Sequence, residues 1–277
     1  MRIALGLCYN GQAYQGWQSQ SSGQTVQDKL EAALAQFTGL KALTNSLTLH
    51  ARPPGPPRVV TLCAGRTDAG VHALMQVVHF DTAAAREPQS WVRGVNALLP
   101  RDIAVQWAAV VPATFHCRAS ALSRRYAYVL LESPVRPSIE AGRVGWVYQP
   151  MNQAALQTAA AQLIGEHDFS SFRASSCQAL SPVKTLQRID VSRRGAYWHF
   201  EFEANAFLHH MIRNIMGCLI AVGTGRQTQT WLAQVLAARR RDIAAPTFSP
   251  DGLYFLGPNY ASQWGLPDST PAYDWLP

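Results

Sequence analysis

What most constrains this chain is a succession of strand-like and helix-like patterns that runs twice. Residues 2–10 alternate, with Ile3, Leu5, Leu7 and Tyr9 on one face, as in a half-buried strand. Thr25 then opens a helix, with Asp28 three residues on, and Val26, Leu30, Ala33, Leu34 and Phe37 share one face before Gly39 ends it. Two strand-like runs follow, 59–64 and 75–80, with the loop Gly65-Arg66-Thr67-Asp68-Ala69-Gly70-Val71-His72-Ala73 between them. Ser90 caps a short helix carrying Trp91, Val95, Leu98 and Leu99, stopped by Pro100, and 103–111 reads as a strand.

The second half repeats this order. A strand covers 124–131, and Asn152 caps a helix with Ala155, Leu156, Ala159, Leu163 and Ile164. Strands at 185–191 and 197–204 are joined by a turn at Arg193-Arg194-Gly195. On the second strand Trp198, Phe200 and Phe202 face inward while His199, Glu201 and Glu203 face outward. A helix with Leu208, Met211, Ile212, Ile215, Met216, Leu219 and Ile220 on its apolar face follows. An extra helix starts at Thr230, with Arg239, Arg240 and Arg241 in its last turn as complements to the helix dipole, and a final strand covers 253–256. Both halves therefore read β-α-β-β-α-β. This predicts an α+β chain of two ferredoxin-like units joined into a mixed, mainly antiparallel sheet with a basic cleft between them. The division expected is 1–112 for an N-terminal domain and 113–277 for a C-terminal one.

Composition narrows the class. Hydrophobic residues make 48% of the 277 and charged ones only 15%, which fits a folded chain and excludes a disordered one. The 24 Lys and Arg exceed the 17 Asp and Glu for a net charge of +7, with arginine dominating the basic side. Arginine suits bidentate phosphate contact and base stacking, so the charge leans toward nucleic acid. Five scattered cysteines (Cys8, Cys63, Cys117, Cys177, Cys218) form no C-x-x-C pair, so neither a disulfide framework nor a zinc knuckle is indicated. The longest apolar run, 215–223, is too short to span a membrane and the N-terminus lacks a signal-peptide pattern. A cytoplasmic protein with no membrane partner is expected.

Five patches carry candidate chemistry. In the loop at 65–73, Arg66 and Asp68 either pair within a turn or present a site, and residue types alone leave both open. Tyr14 and Trp17 sit in the polar segment 11–23, either stacking on a base or, the simpler role, tucking beneath the loop. Arg124, Tyr126 and Tyr128 share one face of a strand, which suits base stacking or a core position with satisfied hydroxyls. The run His167-Asp168-Phe169-Ser170-Ser171-Phe172-Arg173 holds Ser, His and Asp but lacks the strand–elbow context of a hydrolase triad, and reads as a polar, RNA-facing loop. At 205–214, His209 and Arg213 are four apart on one helical face. Two adjacent histidines do not converge from one helix face and no carboxylate lies at ligand spacing, so no metal site is expected there.

These residues resemble a known family. Gly65-Arg66-Thr67-Asp68-Ala69-Gly70-Val71-His72-Ala73 is similar to the signature loop of the tRNA pseudouridine synthase A (TruA) family. Arg124-Arg125-Tyr126, Asp168-Phe169-Ser170-Ser171-Phe172-Arg173 and Asn205-Ala206-Phe207-Leu208-His209-His210-Met211-Ile212-Arg213-Asn214 resemble further motifs of that family. So do Tyr14-Gln15-Gly16-Trp17-Gln18 and Gly252-Leu253-Tyr254, all six falling in order from Ile3 to about Tyr260. Two departures stand out. Residues 41–57, with Arg52-Pro53-Pro54-Gly55-Pro56-Pro57, exceed the connection expected, and Ala127 stands where a basic residue is common.

The resemblance implies the pseudouridine synthase fold and isomerisation of uridine to pseudouridine at positions 38, 39 and 40 of the tRNA anticodon stem-loop. It implies a homodimer and neither cofactor nor metal. Asp68 would be the nucleophile. Arg66 would extrude the base and position Asp68, and Arg213 would pair with Asp68 and keep it ionised. Tyr126 would pack against the flipped uracil and assist proton removal from its C5. The alternatives are a pseudouridine synthase acting on another RNA, a non-catalytic RNA-binding protein, or a nucleoside or glycoside hydrolase. The last usually needs a second carboxylate, which these motifs lack.

Overall fold

The computed structural model describes residues 1–40 and 58–267. The Pro-rich stretch singled out in the sequence, with Arg52, lies outside the described residues. The first unit comprises β1 (Arg2–Tyr9), α1 (Val26–Thr38), β2 (Leu62–Cys63), β3 (His72–Asp81), α2 (Pro88–Asn96) and β4 (Ile103–Val111). The second comprises β5 (Ala121–Glu132), β6 (Gly145–Val147), α3 (Gln153–Ala161), β7 (Gly165–Asp168), β8 (Val183–Arg194), β9 (Tyr197–Ala204), α4 (Met211–Gly223), α5 (Gln229–Ala238) and β10 (Leu253–Tyr260).

The strands form one sheet in the order β4-β1-β3-β10-β5-β9-β8-β7, with β2 on β3 and β6 on β5. Within it, β4-β1-β3-β2 and β10-β5-β9-β8 each have the ferredoxin-like order, so the sequence repeat is a structural one. All pairings are antiparallel except β10 on β3 and β6 on β5. The parallel β3–β10 contact joins the units over only two residue pairs, Tyr254 with His72 and Phe255 with Ala73.

That junction explains why the expected strand at 59–64 shrinks to Leu62–Cys63. β2 pairs with β3 only at Val78 and His79, and the other end of β3 is occupied by β10. The chain leaving β2 therefore runs back beside β3 as a loop, through the gap where the two units diverge.

Alternation along the strands divides the side chains between two faces. Ile3, Leu5, Leu7 and Tyr9 of β1, Tyr126 and Tyr128 of β5, and Trp198, Phe200 and Phe202 of β9 belong to one continuous core with the apolar faces of α1 to α5. The opposite face carries smaller clusters: Ala4, Met75 and Val77 meet Phe115 and Cys117, and Ala127, Val129 and Leu131 meet Val144 and Tyr254. Thr25 caps α1, accepting from the Asp28 N–H at 3.2 Å while its hydroxyl donates to the Asp28 carboxylate at 2.6 Å. Helix α2 starts earlier than Ser90: Glu87 is its cap and Pro88, with φ already helical, opens it. No helix among the described residues is long and apolar enough to cross a membrane.

Candidate active site

The loop 64–71 is fixed by contacts far apart in the chain. Buried Gln76 donates to the Gly65 carbonyl at 2.5 Å, and the Ala64 N–H donates to the Val77 carbonyl at 2.8 Å. The Thr67 hydroxyl and the Tyr9 hydroxyl share a buried hydrogen bond of 2.8 Å. From the segment 11–23, the Trp17 N–H donates to the Thr67 carbonyl at 3.0 Å, and the Tyr14 carbonyl accepts from the Gly70 N–H at 3.3 Å. Two glycines make this packing possible. Gly70 has φ +80°, and Gly16 has φ +87°, where a Cβ would come within 2.8 Å of the Thr67 carbonyl oxygen. Tyr14 and Trp17 are buried core, the simpler of the two roles the sequence allowed.

His72 ties this arrangement to the second unit. Its Nδ1 accepts from the Gly11 N–H at 3.1 Å, so Nε2 carries the proton and faces the carbonyls of Gly142 (2.9 Å) and Asp251 (3.1 Å). Burial lowers its pKa, which keeps the ring neutral and this bonding pattern intact.

Arg66 and Asp68 do not pair with each other. Arg66 is exposed and reaches Gln178 at 3.3 Å, while Asp68 faces inward toward the start of α4. There Arg213 Nη1 donates to Asp68 Oδ2 at 3.2 Å and its Nε donates to the Phe248 carbonyl at 2.9 Å. His209 Nε2 lies 3.4 Å from Oδ1 and His210 Nε2 lies 3.6 Å from Oδ2. Burial pushes the Asp68 carboxyl up, but the His209 hydrogen bond and the nearby His210, His209 and Arg213 charges outweigh it and hold the group below the usual carboxylate range. The same hydrogen bond raises His209, whereas burial lowers His210.

The histidine pair corrects the sequence reading. His210 is the residue before α4 and adopts a left-handed backbone, φ 61°, so its ring does not follow helical spacing. Both imidazoles consequently converge on Asp68, with ring centroids 4.0 Å apart. The expectation that two adjacent histidines do not converge from one helix face assumed helical spacing at both, which the torsion at His210 breaks. Asp68, His209 and His210 offer ligand atoms all within 4.8 Å of one another, so they are the residues able to hold a metal ion.

These groups line a cleft of about 1020 Å³ between the two units. Arg66, Arg118, Arg124 and Arg213 contribute its positive charge, and Asp68 is the one carboxylate among the described residues that line it. Arg124 is committed internally, donating to the carbonyls of Asn205 (2.9 Å) and Arg118, so it braces the floor. Tyr126 also lines the cleft, 8% exposed, against Phe255 (centroids 4.8 Å) and edge-on to Phe207 (5.2 Å). Burial, with the Tyr9 and Asp68 charges, raises its phenol well above the usual range and keeps it protonated. Tyr128 is wholly buried and donates to the Ser249 carbonyl at 2.9 Å, the core position rather than the stacking one.

The 168–173 run also departs from expectation. Phe169, Ser171 and Phe172 are fully buried, because the Ser171 hydroxyl donates to the Val235 carbonyl (2.5 Å) and accepts from the Arg240 N–H (2.9 Å) at the end of α5. Only Arg173 works toward the cleft, holding the carbonyls of Cys177 (2.9 Å) and Ala179 (2.8 Å) and so shaping its wall. Of the three arginines after α5, none lies in the helix's last turn, and Arg241 donates to Asn214 Oδ1 at 3.0 Å. Buried Asn214 in turn donates to the Phe172 carbonyl at 2.8 Å, linking α4 to that run.

A carboxylate set against Arg213, His209 and His210 in an arginine-lined cleft at the junction of two ferredoxin-like units is unlike a plain phosphate-binding site. Comparison with known proteins makes this specific. The family model described as tRNA pseudouridine synthase matches residues 8–118 and 159–261. Curated proteins named tRNA pseudouridine synthase A are similar over their whole length. That of Albidiferax ferrireducens is 70% identical over 277 residues, covering 100% of both chains. Those of a Polaromonas species (strain JS666) and of Paracidovorax citrulli are 66% and 62% identical, again covering 100% of each chain. The chain belongs to the tRNA pseudouridine synthase family and is an isomerase converting uridine to pseudouridine.

Proposed function

We propose that this protein isomerises uridines 38, 39 and 40 in the anticodon stem-loop of tRNA, with Asp68 as the attacking carboxylate. The observation that carries the reading is that Asp68 is the one acid among the described residues of a cleft of arginines, facing Arg213 at 3.2 Å. A pure RNA binder has no use for a carboxylate there, because it repels phosphate. Breaking the uracil–ribose bond and rejoining through carbon needs a nucleophile, and an ionised carboxylate at neutral pH supplies one.

The other residues divide the work. The target uridine must leave its stack at a cost of a few kcal/mol, and Arg66, exposed at the mouth of the cleft, is the group placed to fill its space or grip phosphate. Arg213 orients Asp68 and keeps it ionised. Tyr126 supplies a platform for the flipped uracil, its phenol held protonated by burial in the unbound protein. The enzyme acts as a homodimer in the cytoplasm, each tRNA bridging basic surface of both subunits. Incubation with unmodified tRNA, followed by mapping of pseudouridine along it, tests the assignment. Product at 38–40 supports it; product only elsewhere, or in another RNA, overturns it.

A further inference from the structure

The convergence of two imidazoles on one carboxylate has a consequence beyond RNA chemistry. A tetrahedral zinc ion with ligands at about 2.0–2.1 Å separates its donor atoms by roughly 3.3 Å. His209 Nε2 lies 3.4 Å from Oδ1 and His210 Nε2 3.6 Å from Oδ2 of Asp68, and one ligand atom from each residue lies within 4.8 Å of the other two. We propose that Asp68, His209 and His210 form a binding site for a divalent transition-metal ion of the zinc type, and that its occupancy blocks the carboxylate. The blockade rests on the assignment of Asp68 as nucleophile; the binding does not.

Three features build the site. The left-handed backbone of His210 turns its ring toward Asp68 instead of around the helix. Ser176 Oγ lies 3.1 Å from His209 Nδ1, so that nitrogen has a partner that fixes the ring while Nε2 points at Asp68. Arg213 holds the Phe248 carbonyl and shares Oδ2 with His210, while His209 faces Oδ1, so an ion here competes with Arg213 for the carboxylate. The positive charge of Arg213 weakens the site and works against magnesium or calcium, which also prefer all-oxygen ligands. Two nitrogens and one oxygen select zinc, cobalt, nickel or copper instead.

The test titrates the full-length protein with cobalt(II) and follows its visible absorption, a signature of nitrogen-and-oxygen coordination that folding alone does not produce. A saturable band is expected at one equivalent. It is lost in the His209→Gln/His210→Gln double variant, weakened in Asp68→Asn, and unchanged in His167→Gln, whose histidine lies on β7. Melting curves and far-ultraviolet circular dichroism check that each variant is folded. No band in the wild type, or a band surviving in a folded double variant, overturns the site. In a second arm, zinc(II) is added to wild-type turnover, with loss of pseudouridine formation and recovery on chelation expected. Full turnover with the metal bound overturns the blockade. Failure of the nucleophile assignment shows separately, as activity retained by Asp68→Asn.

Discussion

Replacing Arg213 by glutamine removes the guanidinium from Asp68 while keeping a side chain of similar reach. The wild-type residue makes one charged hydrogen bond of 3.2 Å to the carboxylate and one of 2.9 Å to the Phe248 carbonyl. Hydrogen bonds to charged groups contribute about 1.5–3 kcal/mol, and since His209 and His210 remain, a loss near 2 kcal/mol is expected at the carboxylate. If that stabilisation is needed to reach the transition state, kcat falls about 30-fold. The carboxyl pKa also rises toward its ordinary value, because one of the groups holding it down is gone. The acid limb of the pH–rate profile, set by the need for ionised Asp68, therefore moves to higher pH. Tight RNA binding survives, since Arg213 faces Asp68 and is only 14% exposed. Single-turnover pseudouridine formation across pH, beside RNA affinity by filter binding, separates these effects. An unmoved acid limb with RNA affinity falling as much as kcat would refute the reasoning and make Arg213 a phosphate contact.

Four further outcomes are expected. Gly16→Ala costs about 1–2 kcal/mol from its left-handed backbone alone, and its Cβ presses on Thr67, so melting temperature and turnover fall together; an unchanged kcat would show that the 11–23 segment does not set the Asp68 loop. Tyr126→Phe is expected to keep more turnover than Tyr126→Ala, since the ring packs against Phe255 and Phe207; equal losses assign the hydroxyl a part in the chemistry. RNA affinity falls with rising salt as arginine-bound phosphates regain counterions, and a flat response speaks against a basic RNA cleft. Burial holds the His79 pKa down to about 4, below its unfolded value near 6.5, so the unfolded chain binds the extra proton between those values. Stability is thus complete above about pH 6.5 and lost toward pH 4, and His79→Gln flattens that decline in denaturant titrations at successive pH values.

Much of this was legible in the residues because local pattern and tertiary burial agree. The alternation of Trp198, Phe200 and Phe202 against Glu201 and Glu203 placed β9, and the recurring strand–helix order gave both ferredoxin-like units. Asp68, Arg66 and Tyr126 fall in or around one cleft as expected, and Arg213 is on Asp68. What escaped depends on contacts distant in sequence or on one torsion. β2 is short because a strand nearly 200 residues later takes part of its place. Ser171 reads as a surface hydroxyl until α5 arrives to accept and supply its hydrogen bonds. Helical spacing sends His209 and His210 apart, and only the φ of 61° at His210 reunites them. Thr67 gave no sign of its bond to Tyr9, which lies 58 residues away.

The central claim, that Asp68 performs the chemistry, is tested most directly by Asp68→Asn, which preserves shape and removes the charge. Pseudouridine formed in unmodified tRNA is measured beside the affinity for the same RNA. The structure leads to no detectable pseudouridine at 38–40 with RNA still bound at least as tightly, since a carboxylate that repels phosphate is gone. Normal pseudouridine formation by a correctly folded Asp68→Asn protein would contradict it.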